Sequence, residues 1–187
     1  MRVGTRCKIP RDDLYKSLAK KLNKTQSVLI RVNPGVEAHT HQYIQTSKID
    51  SKFGFSIESG EALSVVKEVL LLKNINLKGL HCHIGSQIFE VESFILATNK
   101  VLNFYREIKD KLNIEFETLD LGGGFGIWYN EEDTQQSNKD YYFFLKKIID
   151  SVKDLLVKLN LKKPFLIFEP GRSIVGEAGI TFYTIGS

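Results

Sequence analysis

Short apolar segments alternate along the chain with longer segments in which apolar residues recur every three or four positions. The short segments are rich in β-branched residues and are expected to form buried strands; they span residues 27–32, 77–84, 116–121 and 165–169. The longer segments have the period of amphipathic helices and span 59–73, 94–112 and 141–159. A further helix is predicted over 12–22, with Asp12 as its N-cap. Two more short strands are predicted at 52–55 and 179–185.

This alternation predicts an α/β fold whose parallel strands are joined by right-handed crossovers. Each main strand runs into a polar or glycine-rich turn, and these turns lie at 33–35, 85–87, 122–126 and 170–172. In α/β barrels and open α/β sheets, ligands bind at the carboxyl ends of the strands. We therefore expect Arg31, His83, Gly124 and Glu169 to converge on one shared site.

Composition narrows the class of protein. The chain has 187 residues, 42% of them hydrophobic and 26% charged, which is typical of a folded protein with one domain or slightly more. Its net charge of +4 is spread along the chain and predicts no nucleic-acid partner. Two cysteines cannot form a disulfide framework, so a reducing compartment is expected. No apolar segment is long enough to span a membrane, and the first residues lack the apolar core of a signal peptide.

Residues 122–126, Gly-Gly-Gly-Phe-Gly, follow a predicted strand directly. Glycines at such a place let backbone N–H groups approach an anion without obstruction by side chains. The spacing is neither that of a dinucleotide-binding fingerprint nor that of a nucleotide P-loop. The motif is either a phosphate-binding turn or a plain tight turn.

His81 and His83 are two positions apart on a predicted strand, so they should point to the same face. A pair of this kind can bind zinc, but the other histidines, His39 and His41, lie in a polar loop. The pair is therefore interpreted as structural, as a cofactor contact or, least readily, as a metal site. Ser86, just beyond it, offers a hydroxyl group to an anion.

Glu169 ends an apolar strand and lies close to Arg172. A carboxylate at the end of a buried strand is costly unless it has a partner. The two residues either form an internal ion pair or face a cationic and an anionic group of one ligand.

Six motifs in one order resemble the diaminopimelate decarboxylases, pyridoxal-phosphate (PLP) enzymes of the alanine-racemase-like barrel class. The motifs lie at 31–35, 39–41, 50–54, 79–87, 119–126 and 169–175, so that the resemblance covers residues 29 to 180. It implies a partial (β/α)8 TIM-type barrel with parallel strands, truncated at both ends. It also implies a cytoplasmic PLP-dependent carboxy-lyase of lysine biosynthesis, a homodimer when complete, that converts meso-diaminopimelate to L-lysine and carbon dioxide.

The resemblance also implies residue roles. His83 would stack on the pyridine ring of the cofactor, Glu169 would pair with the ring nitrogen, and Arg31 would help to order the site as a third catalytic residue. Arg172 would lie near a substrate carboxylate as well as the phosphate. No metal ion is expected. The residues implied to bind the cofactor are His83, Ser86, Gly123, Gly124, Glu169, Pro170, Gly171 and Arg172.

Two features of the family have no counterpart in the chain. Nothing before Arg31 resembles the lysine that binds the cofactor covalently, and the C-terminal β-domain is absent. We therefore expect a leading segment and helix at 1–26, a partial PLP-binding barrel at 27–178, and the start of a missing β-domain at 179–187.

Alternative functions follow from the same residues. The chain is either a decarboxylase fragment or a non-catalytic remnant that binds PLP or a partner, and the missing lysine favours the second. An ornithine- or arginine-type decarboxylase shares the glycine-rich turn and the Glu-Pro-Gly-Arg motif. A metal hydrolase built on His81 and His83 lacks a further cluster of ligands to complete its site.

Overall fold

A parallel sheet is the centre of the fold. The structure is a computed structural model that describes residues 2–3, 20–36, 53–129, 141–180 and 182–184. The strands are β1 (Arg2–Val3), β2 (Gln26–Asn33), β3 (Phe55–Ser56), β4 (Ile75–His81), β5 (Thr118–Asp120) and β6 (Phe165–Ile167). They pair in the order β1-β2-β4-β5-β6, and β3 pairs with the end of β2. Every pairing is parallel, as the alternation of strands and helices predicts.

Helices connect the strands. They are α1 (Glu61–Leu70), α2 (Val91–Leu112), α3 (Tyr141–Lys158) and the short α4 (Arg172–Val175), which runs into a 3-10 turn at Gly176–Ala178. Helix α2 ends at Asn113, whose left-handed backbone (φ 56°) stops the helix just before β5. No helix in the described part of the chain is long and apolar enough to cross a lipid bilayer.

The helices bury one face of the sheet. Along β2, Val28, Ile30 and Val32 are buried, whereas the alternate residues, such as Leu29 and Arg31, are only half-buried. The buried face packs against apolar residues that recur at helical spacing on α1, α2 and α3: Ala62, Val66, Phe94, Val101, Ile108, Ile148 and Val152. The opposite face therefore carries the polar side chains.

From β2 to β6 the predicted strands and the helices between them are confirmed in order and type, with different bounds in several places, whereas strand β1 at Arg2–Val3 was not predicted. The segment predicted as a strand over 77–84 forms β4 only as far as His81, because its partner β5 also ends, at Asp120. The strand predicted at 179–185 is wrong for its described residues, 179, 180 and 182–184, which form no strand. These residues have high β-propensity, but they pair with no neighbouring strand. Most of the helix predicted over 12–22 and the start of the strand predicted at 52–55 lie outside the described residues.

A tyrosine from α2 is inserted between β4 and β5. The hydroxyl of Tyr105 accepts a hydrogen bond from the Leu80 N–H (3.0 Å) and donates one to the carbonyl of Thr118. Two residues further along, Cys82 N–H donates directly to the Asp120 carbonyl at 2.9 Å. The hydroxyl thus replaces one direct bond of the ladder. Gly79 provides the space, because a Cβ there would overlap the Thr118 carbonyl.

Replacing Tyr105 with Phe should lower the free energy of unfolding by about 1–3 kcal/mol, because a buried N–H and a buried carbonyl both lose their partner. Denaturant unfolding followed by circular dichroism measures the change. Tyr142→Phe is the matched control, since Tyr142 is 77% exposed and should change stability by less than about 0.5 kcal/mol. Equal effects of the two substitutions would contradict the role assigned to the Tyr105 hydroxyl.

Candidate functional site

The carboxyl ends of β4, β5 and β6 meet at one point. Glu169, which follows β6, donates its backbone N–H to the Gly122 carbonyl at 2.7 Å. Gly123, in the turn after β5, donates its N–H to Nδ1 of His83, which follows β4, at 3.3 Å. His83, the glycine turn and Glu169 are therefore direct neighbours, as predicted.

The three consecutive glycines are required by close backbone packing. A Cβ on Gly123 would overlap the carbonyl oxygen of Glu169, and a Cβ on Gly124 would overlap that of Gly85. A Cβ on Gly122 would lie 3.0 Å from His83 Nδ1. The turn is thus tight for structural reasons, and the N–H groups of Gly122 and Gly123 are bonded within the protein, to Asp120 and His83.

The contact with Gly123 selects the tautomer of the neutral His83 ring. Because Nδ1 accepts a hydrogen bond, the neutral ring carries its proton on Nε2. The ring is half-buried and is held by backbone at a strand end. It can therefore present a flat face of fixed orientation to a ligand.

His81 lies deeper than His83 and has a different neighbour. Its Nε2 is 3.4 Å from Oε2 of Glu169, and its side chain is 4% exposed. Asp120 is 1% exposed and accepts a hydrogen bond from the Gly122 N–H at 2.9 Å. Side-chain atoms of His81, Asp120 and Glu169 all lie within 4.8 Å of one another.

Arg31 belongs to the same level of the sheet. It pairs in register with His81, which in turn pairs with Asp120, so the three residues form a row across β2, β4 and β5. The guanidinium group also lies 5.1 Å from the ring centre of Phe53, within the range of a cation–π contact. The structure therefore places Arg31 at the shared end of the sheet, in the same row as the buried side chains of His81 and Asp120.

A second polar cluster forms at the exposed rim of the site. Arg172, at the start of α4, donates hydrogen bonds to the Tyr129 hydroxyl at 2.8 Å and to the Ser86 hydroxyl. Ser86 follows the His83 segment and Tyr129 follows the glycine turn. This arrangement of a guanidinium group and two hydroxyls can bind an anionic group. Pro170 and Gly171 connect Glu169 to Arg172, and a Cβ on Gly171 would contact no other atom within 4 Å.

Gln87 is the last residue of the motif at 79–87, but the sequence assigns it no function. Its side chain accepts from the Ile127 N–H at 3.0 Å and donates to the Ile127 carbonyl at 2.8 Å. Tyr141 adds a hydrogen bond to the Gly126 carbonyl at 2.7 Å. These contacts hold the far end of the glycine turn. The positive φ of Gln87 (57°) is a feature that the sequence does not reveal.

Cys82 lies between the two histidines but points into the core. Burial, followed by the charge of Asp120, raises the pKa of its thiol from 9.0 to about 12. The thiol is therefore neutral near pH 7 and serves neither as nucleophile nor as metal ligand.

Native Cys82 should resist alkylation by iodoacetamide at pH 8 and react fully once the chain is unfolded. The raised pKa also predicts that Cys82 contributes stability below pH 9 that is lost as the pH rises toward 12. Mass spectrometry in a Cys7→Ser background isolates the signal of Cys82. Rapid modification of the folded chain would contradict its burial.

The parallel sheet, the glycine turn and the carboxylate at the strand end define a cofactor-binding α/β domain. Residues 12–176 match the family model described as "Pyridoxal-dependent decarboxylase, pyridoxal binding domain". The chain belongs to this family, and the resemblance on which the sequence-based prediction rests is confirmed.

Individual relatives agree with this assignment. The chain is 45% identical over 175 residues to diaminopimelate decarboxylase of Bacillus methanolicus and 47% identical over 165 residues to that of Staphylococcus aureus. These matches cover 94% and 88% of the chain but only 40% and 38% of those relatives. The chain thus spans about two fifths of the length of the curated relatives that it matches.

Solved structures show the same fold. Diaminopimelate decarboxylase from M. jannaschii superposes with a TM-score of 0.72 at 37% identity, over 92% of this chain and 38% of that one. The Helicobacter pylori enzyme complexed with L-lysine gives a TM-score of 0.69 at 30% identity, over 87% and 38%. The parallel sheet of this chain is therefore part of the barrel that the sequence predicts.

Gly123→Ala should separate the ends of β5 and β6 and destabilise the fold by about 1–3 kcal/mol, the range of an overpacked core. Gly171→Ala is the matched control for stability, because its Cβ enters open space. Thermal unfolding of both variants measures the difference. The close packing of the strand ends would be refuted if Gly123→Ala were no less stable than Gly171→Ala.

Proposed function

We propose that the chain binds pyridoxal phosphate at the joined ends of β4, β5 and β6, as part of a decarboxylase that converts meso-diaminopimelate to L-lysine and carbon dioxide. The observation that carries the proposal is the convergence of Glu169, His83 and the Arg172–Ser86 cluster around the glycine turn. Family membership and the names of the relatives support the choice of cofactor and of reaction.

The residues present fit the three parts of this cofactor. The carboxylate of Glu169 is mostly buried, with a side chain 18% exposed, and it suits a cationic ring nitrogen. The ring of His83 suits the face of the pyridine. Arg172 and the Ser86 hydroxyl suit the phosphate, because charge-assisted hydrogen bonds to an anion are strong.

In the proposed reaction, bound pyridoxal phosphate supplies an electron sink for the charge left when carbon dioxide departs. Glu169 would place a negative charge at the ring nitrogen and so favour its protonated form. His83 would cover one ring face and restrict the orientation of the ring. Arg172 would hold the phosphate and bind near the carboxylate of the substrate, and Arg31 would order the buried end of the site.

The substrate follows from the relatives. The curated relatives described above are named diaminopimelate decarboxylases, and the H. pylori structure holds L-lysine, the product of that reaction. We also propose that the whole protein acts as a homodimer in the cytoplasm, as in the family. Light scattering of the whole protein tests the dimer.

Binding of pyridoxal phosphate tests the site directly. Trp128 is the single tryptophan of the chain and lies beside Tyr129, so bound cofactor should quench its fluorescence. Arg172→Ala should weaken binding about 10- to 100-fold, the loss expected for a charged hydrogen bond. Lys153→Ala, which removes a cation on the outer face of α3, should leave binding unchanged. A chain that binds no cofactor, or an Arg172→Ala variant that binds as well as the parent, would overturn the site.

The reaction is tested by segment exchange. The 175 matched residues replace their counterparts in the B. methanolicus enzyme, and release of lysine from meso-diaminopimelate is measured beside release of carbon dioxide from ornithine and arginine. We expect the exchanged protein to decarboxylate diaminopimelate but not ornithine or arginine, and we expect Glu169→Ala to abolish this activity. An exchanged protein that prefers ornithine or arginine would contradict the substrate but not the cofactor.

A further inference from the structure

Two buried side chains, His81 and Asp120, lie close to the carboxylate of Glu169. Its Oε2 is 3.4 Å from Nε2 of His81, a side chain that is almost fully buried. Asp120, on the neighbouring strand β5, lies close to both groups; it is 1% exposed and accepts a hydrogen bond from the N–H of Gly122 at 2.9 Å. Neither His81 nor Asp120 belongs to the residues assigned above to the cofactor.

The charges around His81 explain why an imidazole suits this place. Asp120 from β5 and Glu169 after β6 approach it within 4.8 Å, and Arg31 is its register neighbour on β2. Two carboxylates so close together in a buried site disfavour each other's ionised form. The imidazole of His81 lies beside both carboxylates and offsets this repulsion when it is protonated, since its Nε2 is within ion-pair distance of Glu169 Oε2.

The contact also selects the orientation of Glu169. Because Oε2 lies against His81 Nε2, the orientation of the carboxylate is restricted, and its other oxygen, Oε1, is buried as well. A carboxylate that rotates freely must be fixed in one orientation when a cationic group binds, and the entropy lost in doing so weakens binding.

We propose that His81 is a positioning residue, which together with Asp120 holds Glu169 ionised and oriented for the ring nitrogen of the cofactor. This inference rests on the proposed function, because it assigns the target of Glu169 to that nitrogen. His81 itself does not touch the cofactor and acts only through Glu169.

A pair of probes isolates this role. 4′-Deoxypyridoxine 5′-phosphate keeps the ring nitrogen and the phosphate but has no aldehyde to react with lysines. Its analogue with carbon in place of the ring nitrogen keeps the phosphate contacts only. Calorimetric titration of the full chain with both probes, in the presence of a chelator, separates the contribution of the nitrogen from that of the phosphate.

His81→Leu should weaken binding of the nitrogen-containing probe about 10- to 100-fold and change binding of the carbon analogue less than about threefold. His81→Gln keeps an N–H donor and should recover part of the loss. In a Glu169→Gln background, His81→Leu should have no further effect on either probe, because the two residues act as one unit. Binding of the carbon analogue also shows that each variant is folded.

The outcomes distinguish this inference from the proposed function. If the parent chain binds neither probe, the proposed function fails and the role of His81 falls with it. If Glu169→Gln weakens only the nitrogen probe while His81→Leu has no effect, the function stands and the role of His81 is refuted. Equal weakening of both probes by His81→Leu would show a purely structural residue. Binding that depends on added zinc would show that the three side chains form a metal site instead.

Discussion

The arrangement of the site depends on the close approach of three backbone segments, which are the ends of β4 and β6 and the turn after β5. The turn after β5 passes between the ends of β4 and β6 with no space for a side chain, since a Cβ on Gly123 or Gly124 would overlap a carbonyl oxygen of a neighbouring segment. Glycine is the residue that such contacts allow. The same contacts bring His83 and Glu169 to opposite sides of one turn, so the geometry of the site follows from how tightly the strand ends are packed.

Ionisable side chains lie side by side on the face of the sheet opposite the helices. Arg31, His81 and Asp120 occupy one row across three strands, and Glu169 extends it beyond β6. Buried charges are tolerated when each has a partner of opposite sign within reach. This row explains how an apolar parallel sheet can present a carboxylate at its end. It also links the site to strand pairing, because a shift in register would separate the charges.

Sequence patterns predicted the order of strands and helices from β2 onward and the meeting of the polar strand ends, because both depend on local periodicity and on the polarity of strand ends. They did not predict β1, which is only two residues long. The partner of His81 could not be predicted, since the contact joins residues on β4 and after β6 whose separation depends on register. Gln87 and Tyr105 were missed for the same reason, because each bonds backbone that is distant in sequence. The apolar tail at 179–185 resembles a strand in composition, but a strand also needs a neighbour to pair with.

The Tyr105 hydroxyl has a consequence for how the layers of the fold are aligned. Apolar packing is non-directional, so it permits a helix to roll or slide on a sheet with little change in buried area. A hydroxyl that donates to one strand and accepts from the next has a required direction. It therefore sets the rotation of α2 about its own axis, and with it the direction in which the opposite side of α2 faces α3. One oxygen atom inside the sheet thus adds a direction to the apolar packing that holds both helices.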